Sequence, residues 1–191
     1  MNQSAGEILM NEAVVTQSLV EYLFSQPETS VYAVLDGASV EQLPQLLWEY
    51  EPEHVCLYLG ELEPDMAAVA PYLVKLQYDH RFTKLLCRKG WGHHWGIFVL
   101  TPAQVDLGDL RKHFRKFLMI PDPEGKLFYF RYYDPRVLRL YLPTCNNDEV
   151  QTFFGHVRNF LAEDEDGKQL MEYYLTDSKL AMRSVRIEGL Q

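Results

Sequence analysis

Four short apolar runs constrain the fold more than any other feature of this chain: VYAVLD (31–36), VCLYLG (55–60), YLVKL (72–76) and WGIFVLT (95–101). Each has the length of a strand, and turn residues such as Asp36-Gly37 bound them. Between them lie stretches with helical spacing, with Leu43, Leu46 and Leu47 on one face before Pro52, and Phe82, Leu85 and Leu86 on one face of 79–88. Pro71 divides MAAVAPYLVKL, so the strand begins after it. Ser4 and Glu7 have capping-box spacing and predict a first helix running to Phe24, ended by Gln26-Pro27. Apolar strands alternating with helices predict an α/β layer whose strands are buried on both faces.

The second half continues the pattern. Residues 103–118 predict an amphipathic helix with Leu107, Leu110, Phe114 and Phe117 as its stripe and Arg111, Lys112, Arg115 and Lys116 as a basic surface beside it. PDPEG (121–125) is turn chemistry. KLFYFRYYD (126–134) reads as an aromatic strand, PRVLRLYL (135–142) as a helix opening on Pro135, and NNDEVQTFF (146–154) as another. Residues 157–163 and 168–175 flank Asp166-Gly167 as a hairpin, and the last ten or so residues are expected to be frayed or loosely docked. The expectation is a single domain over 1–191, α/β in class. It has a mixed sheet with flanking helices in a 1–120 lobe and a smaller C-terminal helical and hairpin lobe over 121–191.

Charge narrows the partners. The net charge is −9, but it is unevenly spread. Residues 1–80 hold 1 Lys/Arg against 13 Asp/Glu, residues 81–139 hold 12 against 5, and residues 140–191 hold 5 against 9. A basic middle between acidic flanks suits internal pairing, a nucleic-acid patch or an acidic protein partner. The acidic total and the lack of a reader motif speak against nucleic acid. No run reaches the roughly 20 apolar residues of a membrane span. The three cysteines, Cys56, Cys87 and Cys145, form no CxxC pair. With no secretory leader in MNQSAGEILMNEAVV, a reducing cytoplasm is the expected compartment.

GWGHHWG (90–96) is the densest candidate for chemistry. Adjacent His93 and His94 on a strand would point to opposite faces and chelate one metal poorly. The segment lacks the P-loop pattern and precedes a strand where a P-loop precedes a helix. It reads as a tight turn, with its tryptophans supplying burial. Cys145, just before a helix, is a conceivable nucleophile if His113 or His156 is brought near, and the plainer reading is a small junction residue. No metal, cofactor or catalytic set is expected. In FRYYDPRVLR, Asp134 between Arg131 and Arg136 suggests a paired carboxylate capping the helix at Pro135. That network either pins the fold or faces a partner, since Arg and Tyr are favoured interface anchors.

Taken in order, YAVLDGA (32–38), APYLVKL (70–76), GWGHHWGIFVL (90–100), LRKHFRKFLMI (110–120), YFRYYDPRVLRLYLPTC (129–145) and FFGHV (153–157) resemble the adaptor, or chaperone, family of bacterial type VI secretion systems. These are the Tap or TEC adaptors, long catalogued as a domain of unknown function. The resemblance implies a non-enzymatic protein that binds an effector toxin in the cytoplasm and loads it onto the VgrG spike, its PAAR tip, or both. Gly90, Trp91, Gly92, Trp95 and Gly96 match the family's glycine-tryptophan motif. Arg131, Asp134, Pro135 and Arg136 match its FRxYDPR motif, and Asp36 lies in the first matching stretch. Arg111 and Arg115 are the expected contacts for an acidic partner. A toxin-neutralising, immunity-like protein and a small enzyme using Cys145 are the alternatives.

Overall fold

A computed structural model describes residues 5–121 and 124–190. Ser4 of the expected capping box, and Asp122 and Pro123 of the expected turn, lie outside the described residues. The first helix, α1 (Ala5–Leu23), leads into β1 (Thr29–Asp36), α2 (Leu43–Tyr50), β2 (His54–Cys56), α3 (Pro64–Val69) and β3 (Pro71–Leu76). Next come α4 (Arg81–Leu85), a π-helical turn (Leu86–Gly90), β4 (Gly96–Pro102), α5 (Leu107–Arg115), β5 (Met119–Pro121) and β6 (Leu127–Tyr129). The chain ends with α6 (Pro135–Tyr141), a 3-10 turn (Leu142–Thr144), α7 (Asn147–Phe154), β7 (Asn159–Glu163), β8 (Leu170–Thr176) and β9 (Lys179–Val185). Among the described residues no helix is long and apolar enough to cross a membrane.

Seven strands form one sheet in the order β2-β3-β1-β4-β7-β8-β9, while β5 and β6 pair apart from it. Every ladder among the described strands is antiparallel. The continuous apolar runs therefore reflect cover on both faces rather than parallel pairing. Alternate residues of β1 divide between two cores. Val31, Ala33 and Leu35 join Leu19, Leu23, Leu43 and Phe82 on the α1–α2–α4 side. Tyr32 and Val34 join Leu110, Phe114, Leu138 and Phe153 on the α5–α6–α7 side. The α/β class and the flanking helices are as the sequence predicts. The C-terminal hairpin β7–β8 is also as expected, and it continues the same sheet through β4–β7 pairing.

Three segments depart from expectation. The VCLYLG strand stops at Cys56, because the next residue, Leu57, is fully buried in the second core and Gly60 turns the chain at φ +82°. The aromatic strand 126–134 keeps only Leu127–Tyr129. Its second half leaves the pleat because Tyr132 enters the core, where its ring stacks on Phe114 and its hydroxyl donates to Phe114 O at 3.1 Å. The tail carries a third C-terminal strand, β9, and Ile187 beyond it is buried, so of the two expected states, frayed or docked, the tail takes the docked one.

Candidate functional site

The turn at residues 90–96 is built by its glycines and held by a carboxylate from β7, the strand next to β4 in the sheet. Gly90 closes the π turn with Leu86 and Trp95 packed on its α-carbon, where an added Cβ would lie 3.0 Å from Leu86 Cδ1. Gly92 takes φ +75° and His94 takes φ +56°, so the chain passes twice through the left-handed region. Gly96 opens β4 so close to β1 that a Cβ would lie 2.2 Å from Val34 O. The side chain of Glu163, last residue of β7 and 4 % exposed, accepts hydrogen bonds from Gly92 N and, at 2.9 Å, from His94 N. It also contacts the His94 ring Nδ1. Backbone N–H groups converging on one carboxylate form an anion nest, with the anion supplied by the protein itself.

Two further bonds complete the clasp. Trp91 Nε1 donates to Gly167 O at 2.7 Å, and Arg139 donates to Glu163 O at 2.7 Å. The space beneath, lined by Ala33, Leu86, Trp91, Trp95, Phe98 and Glu163, measures about 10 Å³. That is room for one water, so the turn is not a ligand pocket. The two histidines diverge, His93 Nδ1 lying 3.0 Å from Trp91 O while His94 meets Glu163. Among the described residues no group of three His, Cys, Asp or Glu is placed to hold a metal.

The second constellation joins the end of β1 to the start of α6. Asp36, 1 % exposed, accepts from Ala38 N and Ser39 Oγ, each at 3.1 Å, and pairs with Arg131. Arg131 also lies 3.6 Å from Asp134. Asp134 caps α6 through Arg136 N at 2.9 Å and takes the Arg136 guanidinium in two bonds, at 3.0 and 2.6 Å. Pro135 occupies the first helical position, as its sequence context predicts. Burial pushes the Asp134 carboxyl up, but the Arg136 hydrogen bonds and the charges of Arg136 and Arg131 more than offset it, leaving the group below its ordinary range. The result is a line of alternating charges, Asp36–Arg131–Asp134–Arg136. Its carboxylates are buried, and its guanidiniums are about half exposed.

The α5 arginines are less available than the sequence suggests. Arg111 Nε donates to Cys56 O at 3.0 Å and its Nη2 to Tyr58 O at 3.1 Å. Those carbonyls face away from β3, which bonds to Glu53 and Leu57 instead, so Arg111 seals the outer edge of β2. Arg115 is half-buried, and its Nε has no hydrogen-bond partner among the described residues. Lys112 and Lys116 are the exposed cations of this helix. Cys145 Sγ donates to Tyr141 O at 3.6 Å, and burial pushes its thiol up, which is opposite to what activates a nucleophile. His113, one of its two suggested bases, is committed to Phe153 O at 2.8 Å.

Two features escaped the sequence reading. Glu172, fully buried in β8, receives Tyr22 and Asn159, each at 2.8 Å, and pairs with Arg183, tying α1 to the sheet. Burial, and then Glu172 itself, push the Tyr22 phenol up to about 12. Its signal was a lone acid inside the apolar run LMEYYL, and Glu163 closes NFLAE in the same way. The other feature is an arm. β5 and β6 stand off the main sheet, and Met119, Ile120, Leu127, Phe128 and Tyr129 are all exposed on it. The Tyr129 ring lies 5.8 Å from that of Tyr58, next to exposed Leu59.

Fold and site thus define an α/β protein built on one antiparallel sheet, whose signature turn is a structural clasp and whose apolar arm is open to solvent. A family model described as a domain of unknown function, DUF4123, matches residues 31–152, from β1 into α7. The chain belongs to that family. No curated protein and no solved structure matches it significantly.

Proposed function

We propose that this chain is a non-enzymatic adaptor of a type VI secretion system, holding an effector toxin in the cytoplasm and loading it onto a VgrG or PAAR spike protein. The arm carries this reading. A two-stranded hairpin is marginal alone in water. Here five large apolar side chains cluster on such a hairpin, outside both cores, with Leu59 beside them. Contiguous apolar surface of this kind marks a protein-binding site. The matched motifs agree in kind, because the glycine-tryptophan turn and the FRxYDPR network hold the scaffold and leave the arm to meet a partner.

The test is affinity capture of the tagged full-length protein from bacteria expressing the secretion apparatus, with the retained proteins identified by mass spectrometry. Wild-type protein should retain a toxin together with a VgrG or PAAR protein, and Leu127→Ser/Phe128→Ser should lose at least one of them. Retention of neither by the wild type would overturn the adaptor reading. Undiminished capture by the variant would remove the arm from it.

A further inference from the structure

A second surface of different chemistry lies on the opposite side of the sheet from α5. The helix α4 and the π turn after it place Arg81, Lys84 and Arg88 along one exposed face, bordering a groove of about 420 Å³ against α1 and α2. Its accessible apolar lining includes Ala13, Tyr50 and Leu85. Arg81 stacks over the Tyr50 ring at 5.1 Å, which holds the guanidinium at the groove. Lys84 pairs with Asp79 at 3.4 Å, but both ends are well exposed and such a pair is worth little. Neither Arg81 nor Arg88 is ion-paired among the described residues. These cations open the basic middle of the chain directly after eighty residues that carry only Lys75 as a positive side chain.

We propose that this groove is a docking site for an acidic amphipathic segment of a protein partner, with glutamates or aspartates meeting Arg81, Lys84 and Arg88 and apolar side chains resting on Ala13, Tyr50 and Leu85. The inference builds on the adaptor reading by giving the chemistry of one partner contact. Charge spacing selects the occupant. Arg81 and Arg88 are seven residues apart, roughly 10 Å along a helix at about 1.5 Å per residue. A single phosphate cannot meet both ends of such a row, whereas a chain with carboxylates repeated along one face can. The apolar lining also favours a segment with aliphatic side chains over a free polyanion. The two surfaces then divide the work: the arm offers apolar contact, and the groove supplies charge selection and a salt-sensitive encounter rate.

The probe is a fluorescein-labelled synthetic peptide of repeated Glu-Leu-Leu-Glu units, titrated with the full-length protein by fluorescence anisotropy. A lysine-for-glutamate counterpart and inorganic pyrophosphate as competitor accompany it. Arg88→Glu should weaken peptide binding about tenfold, and Lys84→Glu should weaken it in the same direction if Arg81→Glu or Arg88→Glu perturbs the melting curve. Lys112→Glu makes the same charge change on α5 and should alter binding less than twofold. Three results each overturn the proposal: no binding of the acidic peptide, equal weakening by Lys112→Glu, or binding of pyrophosphate without the peptide. Peptide failure alongside intact capture of toxin and spike would sink the groove and leave the adaptor. Peptide binding without capture of either protein would do the reverse.

Discussion

Removing the Glu163 carboxylate should loosen the tryptophan turn from the C-terminal hairpin and lower global stability by a predictable amount. The carboxylate accepts from two backbone donors, Gly92 N and His94 N, and contacts the His94 ring from a nearly solvent-free position. Glu163→Ala strands both donors. A stranded buried donor costs about 1–3 kcal/mol, and the exposure of Gly92 places this pair near the low end, so the expected loss is about 2–3 kcal/mol. Glu163→Gln recovers little, because its amide offers one oxygen where two N–H groups converge. Urea unfolding followed by tryptophan fluorescence is a direct assay, since Trp91 and Trp95 lie in the turn and are partly buried. With a urea dependence of about 2 kcal/mol per molar, the midpoint should fall by about 1–1.5 M for Glu163→Ala. A midpoint within about 0.2 M of wild type would refute the reasoning, because the nest would then be dispensable. The same holds if Glu163→Gln matched wild type.

Gly96→Ala should cost about 3 kcal/mol or more, because the new methyl meets the backbone of Val34 and Leu35, while Gly108→Ala should leave the melting temperature unchanged or slightly raised, its methyl meeting only the Asp106 carboxylate at 3.3 Å. His113 gives a pH dependence: burial lowers its folded pKa below the unfolded value of 6.5, so its share of stability is fully present above pH 6.5 and declines as pH falls towards the folded value. Urea unfolding between pH 8 and about 5.5 should show that decline, and His113→Asn should flatten it. A neutral-pH thiol reagent should react slowly with native Cys145 and with Cys87 only after unfolding, since burial pushes the Cys87 thiol up to about 12; rapid single-site labelling at Cys145 would reopen the enzymatic alternative.

What was readable in the sequence follows the range of each interaction. The strands β1, β3 and β4 were legible because cover on both faces leaves an unbroken apolar run. The Asp134 cap was legible because Asp, Pro and Arg stand together and the bond spans two residues. Asp36 and Arg131 are 95 residues apart, and Glu163 lies 71 from Gly92, so neither pairing leaves a local mark. Composition pointed to Arg111 and Arg115 as a surface because it counts charges without seeing which carbonyls claim them. The same limit hid Tyr132, whose aromatic run suits a strand or a core alike, and the register of packing decides between them.

The Arg111 fork also bears on how copies of the chain behave at high concentration. A sheet grows without limit only when both of its borders can accept another strand. One border, at the end of β2, has the Cys56 and Tyr58 carbonyls occupied by a guanidinium, and the other, at β9, carries Lys179 and Arg183 along its length. Strand addition to the seven-stranded sheet is therefore left to the β9 border, and two chains meeting there exhaust it. Edge-to-edge association through the main sheet ends at a pair and does not propagate into a fibre.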